Sequence, residues 1–451
     1  MKRKKFLPLL LILLVMGLIA GCAAPVAAPA APAADSTAAG TEAAAAASSD
    51  EPVTITYLVD DSSQSVASAN AQVAAYMALH PNVTINVETR PQGADGDNFV
   101  KTRLATGEMA DVFAYNSGSL LQALQPAQTL VDITDEPYLA NVAESFLPTV
   151  SQDGKVYGVP SGTAMGGGIL YNKKVYEQLG LSVPKTWAEF EANNEKIAAA
   201  GIAPVIATFG DTWTSQLFVL ADYYNLQVDV PNFAEDYTAN KAKYATTPEA
   251  LRGFQYMQEG YEKGWWSKDY ATMKYEQGLK LLADGEGAHF PMLSFALSTL
   301  GNNWPEQAQD IGFFGVPGSE AEKAGATIWM PGGVYIPQTT QHLDAAKGFQ
   351  AFIASVPGTD ALTAAVPPAG PYVIKGATLP DDVLPAVKDI AAYIDSGMNA
   401  PALEFLSPVK GPTLEQLTVA VGTGQMTAEE AAAAYDTDVE KQAQQLGLPG
   451  W

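Results

Sequence analysis

From residue 53 to residue 115 the hydrophobic pattern keeps switching period. VTITYLV at 53–59 alternates like a strand, and from about 65 to 79 Val66, Val73, Tyr76 and Met77 recur at helical spacing until His80-Pro81 stops them. VTINVET at 83–89 alternates again, a helical run covers about 98–106, and DVFAY at 111–115 reads as a third strand. Period 2 marks strands and period 3.6 marks helices. Strands separated by helices predict a parallel sheet with crossovers. In such sheets ligands sit beyond the carboxyl ends of the strands, which singles out Asp60, Asp61, Ser62, Arg90 and Asn116-Ser117-Gly118.

Downstream the alternation resumes. Glycines at 162 and 166–168 flank a strand ending in Tyr171-Asn172, and Thr186-Trp187-Ala188-Glu189 is a capping box whose helix stops at Gly201. Residues 202–207 read as a strand, 212–224 as a helix, 248–262 as a long amphipathic helix opened by Thr247-Pro248, 275–283 as a helix and 287–292 as a short strand. Strands follow at 311–316, 327–330 and 333–336, and two closing helices from Thr413 and Thr427 carry Thr-x-x-Gln and Thr-x-x-Glu caps.

The first 51 residues follow another pattern. Lys-Arg-Lys-Lys at 2–5 precedes an apolar run of about 15 residues and then Gly21-Cys22, which describes a secretory signal, too short to be a comfortable membrane span. Ile19-Ala20-Gly21-Cys22 looks like a bacterial lipobox, with Cys22 lipidated as the mature N-terminus. Cys22 is the only cysteine, so disulfides, thiol catalysis and cysteine metal sites are excluded. The Ala, Pro, Ser and Thr of 22–51 carry too little apolar surface to fold and read as a tether that follows a signal peptide at 1–21. The formal charge is −24, about −28 once the four basic residues near the start are removed. So acidic a body argues against nucleic acid and against lying flat on anionic lipid. A chain of 451 residues also exceeds what one core usually serves, so two lobes are expected.

GILYNKKVYEQLGL-SVPKTWAEF at 168–190 resembles the signature of extracellular solute-binding proteins of family 1, the sugar receptors of ABC importers similar to the maltodextrin-binding protein. DVFAYNSG, LLADGEGAHF, PGGVYIP and AAKGFQAFIAS occur in the matching order, and the likeness covers 53–451. It implies an α/β, two-lobed periplasmic-binding-protein-like fold of type II, each lobe a sheet flanked by helices. The lobes are expected at 52–162 plus about 332–366 and at 163–331 plus about 367–451. Hinge crossings are expected near 160–167, 330–334 and 366–371, where glycine's wide φ range would suit a rotating backbone. Phe295 stands at a position where the family often has Trp, and Tyr176 where it more often has Phe or Leu.

The resemblance implies a carbohydrate held between the lobes, ABC permease subunits as partners, a monomeric receptor anchored outside the cytoplasmic membrane through Cys22, and no enzyme activity, cofactor or metal. Sugar recognition needs flat aromatic faces for C–H surfaces and carboxylates or amides for hydroxyls. The aromatic candidates are Trp213, Phe295, Trp329 and Tyr335, each of which could equally pack in a core. The polar candidates are Asp60, Asp61, Ser62, Asn116, Ser117, Thr163 and Asp211, with the backbone at Gly332 and Gly333. Trp187, Tyr171 and Asn172 read as architectural. DGDN at 95–98 reads as a turn, and His80, His289 and His342 are too scattered for a metal site. Two rivals stay open: an exported glycosidase using two carboxylates, and the same fold binding a polyamine or a phosphorylated polyol, for which Arg90 is the plausible cation.

Overall fold

The computed structural model of the protein describes residues 51–451. The expected signal peptide, Cys22 and all but the last residue of the expected tether fall outside the described residues. Along the chain run β1 (Val53–Asp60), α1 (Ser63–Leu79), β2 (Val83–Arg90), α2 (Gly93–Thr106), β3 (Val112–Tyr115), β4 (Gly158–Pro160), β5 (Met165–Asn172), α3 (Trp187–Ala199) and β6 (Ala203–Val205). There follow α4 (Tyr275–Asp284), β7 (Gly287–Leu293), β8 (Ile311–Phe314), β9 (Ala326–Trp329), β10 (Gly333–Tyr335), β11 (Asn399–Pro401), α5 (Leu414–Gly422) and α6 (Ala428–Gln445), with further helices between them. The fold is two-lobed, each lobe a sheet flanked by helices.

The first sheet has the order β2-β1-β3-β10-β4. β1 pairs in parallel with β2 and β3, as the alternation predicts, whereas β10 runs antiparallel to β3 and β4. Its core holds Ile55, Tyr57, Val112, Phe113, Val334 and Phe349. The second sheet has the order β11-β9-β5-β7-β6. β5 is its spine: it pairs antiparallel with β7 on one side, and on the other with β9 through its first half and β8 through its second. Ile169 and Tyr171 enter one apolar cluster and Leu170 another, so successive side chains of β5 feed cores on both faces.

Gly166, Gly167 and Gly168 lie inside β5 and serve close packing. A Cβ on Gly167 would fall 2.1 Å from the Trp329 ring. Between the sheets, three chain segments run side by side: Ser161 N donates to Gly332 O at 2.9 Å and Ala164 N to Pro371 O at 2.8 Å. Val373 and Ile374, a little further on, still pack in the first core.

The motif residues read as architectural are so placed. Asn172 accepts from Val175 N and donates to Leu282 O, tying β5 to α4. Thr186 and Glu189 form the expected capping box of α3, and Trp187 stacks on Tyr256 with ring centroids 3.4 Å apart.

Some expectations need correcting. Residues 212–224 do not form one helix: a 3-10 turn at Thr212–Gln216 precedes two short helices, Leu217–Ala221 and Tyr223–Asp229. The hydroxyl of Thr413 does not cap α5, because it donates to Asp438 at 2.9 Å, whereas Thr427 does cap α6. DGDN at 95–98 lies within the first two turns of α2, where Asp95, in the first turn, suits the positive end of the helix. No helix among the described residues is long and apolar enough to cross a membrane.

Candidate functional site

A cavity of about 390 Å³ lies between the lobes. Because β1, β2 and β3 run parallel, their carboxyl ends reach one edge of the first sheet, and Asp60, Arg90 and Asn116 line the cavity from there. The Asp60 carboxylate accepts from Ser62 N at 3.0 Å and Ser65 Oγ at 2.7 Å, which fixes the start of α1. Ser62, Ser117 and Thr163 also line it; Ser117 is buried and donates to Pro331 O at 2.8 Å.

The second lobe supplies rings. Trp213, on the 3-10 turn that follows β6, packs against Phe295 and Tyr275 with centroids 5.9 and 5.2 Å away. Trp213 and Phe295 line the cavity, as does Trp329 at the end of β9. Trp329 Nε1 donates to Glu404 Oε1 at 2.5 Å, and the backbone at Gly332 completes this side.

Four of the residues selected from sequence stand elsewhere. Asp61 is exposed and accepts from Gln92 Nε2 at 3.0 Å. Asp211 accepts from Lys274 Nζ at 2.8 Å and from Tyr275 N at 2.7 Å, holding the start of α4. Gly333 belongs to β10, and Tyr335 is fully buried, its hydroxyl donating to Asn116 O at 3.0 Å.

Several cavity residues were not selected. Ser65, Ser68 and Gln72 form a polar stripe down α1, a signal legible in the three- and four-residue spacing of SQSVASANAQ. Asp97, one turn into α2, accepts from Tyr115 Oη at 2.9 Å; burial and then this carboxylate push the Tyr115 hydroxyl well above its usual range. Glu404, Lys410 and Glu415 arrive from the last fifth of the chain. Burial raises the carboxyls of Glu404 and Glu415 above their ordinary values, against the opposing pull of Lys410 on the first and of the Ala94 N–H on the second.

One donor on each wall has no hydrogen-bond partner among the described residues: Arg90 Nε on the first lobe and Trp213 Nε1 on the second. Arg90 is 7% exposed, its guanidinium lies 5.6 Å from the Tyr115 ring centroid, and Nη1 donates to Pro91 O at 2.9 Å. The arrangement faces hydrogen-bonding groups with flat apolar surface. It defines a ligand-binding cleft between two lobes.

The chain belongs to the bacterial extracellular solute-binding proteins, whose match spans residues 60–359. It is 26% identical over 321 residues to a multiple sugar-binding protein of Streptococcus mutans, covering 68% of this chain and 72% of that one. Among solved structures it is similar to a chitin oligosaccharide binding protein, with a TM-score of 0.75 at 22% identity over 87% of this chain and 99% of that one. It is also similar to the solute-binding protein RafE in complex with raffinose, with a TM-score of 0.70 at 22% identity over the same shares. The family and these neighbours are binding proteins.

Proposed function

We propose that the protein is the carbohydrate receptor of an ABC importer, capturing a mono- or oligosaccharide between its lobes and delivering it to a membrane permease. The observation that carries this is the composition of the cavity, in which carboxylates, amides and serines face three aromatic rings. Sugars present hydroxyl edges and apolar C–H faces, and such a pair of walls meets both. Its volume, about 390 Å³, falls in the roughly 300–1,000 Å³ of small-molecule sites. The sugar-binding relative supports the same ligand class.

In this reading Asp60, Ser62, Asn116, Ser117 and Thr163 engage hydroxyls, and Trp213, Phe295 and Trp329 present faces to the ring. Arg90 and Trp213, each with an unpartnered donor on its own wall, gain acceptors from the ligand. Ligand touching both walls favours the closed arrangement. The body is exported, monomeric and held at the outer face of the cytoplasmic membrane through lipid on Cys22, and the permease reads its closed form.

Calorimetry with a panel of mono- and oligosaccharides, a polyamine and a sugar phosphate tests this. Stoichiometric binding of one sugar class, with the sugar recovered intact, is expected. Cleaved product would establish a glycosidase instead, and binding of spermidine or the sugar phosphate alone would overturn the carbohydrate assignment.

A further inference from the structure

Helices α1 and α2 both begin at the cavity, and their first turns are completed differently. The first N–H groups of an α-helix have no partner inside it, and a Ser, Thr, Asp or Asn just before the helix normally accepts from one. At α1 Ser62 does so, accepting from Ser65 N at 3.2 Å. At α2 that place is held by Gln92, whose side chain makes no bond to the helix and whose amide donates to Asp61 Oδ1.

The Ala94 N–H of α2 is met instead by Oε1 of Glu415 at 3.2 Å, from α5 on the other lobe, 321 positions along the chain. Glu415 is 5% exposed, and Gln416 Nε2 donates to the same oxygen at 3.1 Å. A carboxylate so deeply buried needs donors, and the positive end of a helix is a favourable place for it. A second contact has the same sense: Ser63 Oγ, at the start of α1, donates to Glu276 Oε1 of α4 at 2.9 Å. In each pair the first lobe offers a donor from the first turn of a helix, a backbone N–H at Ala94 and a hydroxyl at Ser63, and the second lobe a carboxylate.

We infer that Glu415 is a closure-positioning residue, supplying across the cleft the cap that α2's own sequence omits, so that α2 is completed only when the lobes are closed. Separation of the lobes leaves Ala94 N–H and the Glu415 carboxylate to water. The contact therefore favours closure before ligand arrives and raises the fraction of molecules competent to hold it. Only the consequence for affinity rests on the carbohydrate reading; the lobe separation of the empty protein does not.

The test uses the full chain without ligand, comparing the parent with Glu415→Ala, Glu415→Gln and Gln92→Ser. Small-angle scattering reads lobe separation, and amide hydrogen exchange reads residues 93–95. Glu415→Ala is expected to enlarge the radius of gyration and speed exchange at 93–95 by about tenfold. Glu415→Gln keeps an acceptor oxygen and stays near the parent. Gln92→Ser gives α2 a cap of its own, so these amides stay protected while the lobes open, a split that a merely structural role would not produce. With a sugar found by the screen above, Glu415→Ala is expected to bind roughly five- to tenfold more weakly through faster dissociation. An unchanged radius in both Glu415→Ala and Gln92→Ser would overturn the inference, and so would Glu415→Gln opening as far as Glu415→Ala. Should Glu415→Ala fail to fold, Gln92→Ser decides alone. Should no sugar bind, the carbohydrate reading fails while the ligand-free results still decide this one.

Discussion

The two lobes bring different chemistry to one cavity although their sheets are wired alike, each with a single strand, β10 or β5, reversed against the others. In the first, parallel strands deliver Asp60, Arg90 and Asn116 to a single edge, and the helices that follow add the serines of α1 and Asp97 of α2. In the second, β5 alone is reversed: it runs antiparallel to β7, β8 and β9, while β6 is parallel to β7 and β11 to β9, so β6, β7 and β9 end at one edge as well. Its contribution comes from connections: Trp213 from the turn after β6, Phe295 just past β7, and Trp329 where the chain leaves β9. Shared strand direction delivers residues to the cavity from both lobes, and the residue types that follow those ends make one wall polar and the other aromatic.

The largest expected effect of breaking this contrast is on the aromatic side. Trp329 fills the space over Gly167 and holds Glu404, so Trp329→Ala should cost about 3–5 kcal/mol of stability and abolish ligand binding. Denaturant unfolding checks it, and a loss below about 1 kcal/mol would refute the dual structural role.

Acid should also fall on the second lobe. His80 and His342 are exposed, but His289 is fully buried with Nε2 2.6 Å from Tyr176 Oη, and burial lowers its pKa to about 3. The ring is thus neutral in the folded protein, while in the unfolded chain it titrates near 6.5. Its contribution is full above pH 6.5 and declines as pH falls toward 3, by about 2 kcal/mol at pH 5. Unfolding titrations at pH 7 and pH 5 should show a shallower pH dependence for His289→Gln than for the parent; equal slopes would exclude this source.

Smaller effects separate binding from folding. Trp213 is half-buried, and Trp213→Ala should weaken sugar binding by about 1–2 kcal/mol, roughly tenfold, with little change in Tm. Unchanged affinity would remove it from the aromatic wall. Asn116, exposed at the opposite wall, should contribute about 1 kcal/mol, so Asn116→Ala is expected to be the mildest of the series in the same calorimetry. A loss larger than that of Trp213→Ala would reverse the ranking of the walls.

The first lobe's wall was legible because a rule links strand ends in a parallel sheet to ligand position, and β1, β2 and β3 were plain in their period of 2. The rings of Trp213, Phe295 and Trp329 were legible only as residue types in suitable places; the same reasoning chose Tyr335, which the pairing of β10 between β3 and β4 turns into the core. Asp61 and Asp211 show the matching ambiguity among acids, since a loop carboxylate serves a neighbouring amide or lysine as readily as a ligand. Glu404, Lys410 and Glu415 were out of reach, because nothing local ties the end of the chain to strand ends some 300 residues earlier.

The sequence by itself determined the alternation of β1, α1, β2, α2 and β3, the capping boxes at Thr186 and Thr427, and the family, because these depend on contacts within a few residues or on motif order. Only the tertiary structure decided which acids face the cavity, that three glycines pack beneath rings, and that α2 takes its cap from Glu415. Those outcomes depend on which surfaces are brought together when two separate cores close on one another, and that information is carried by no single stretch of the chain.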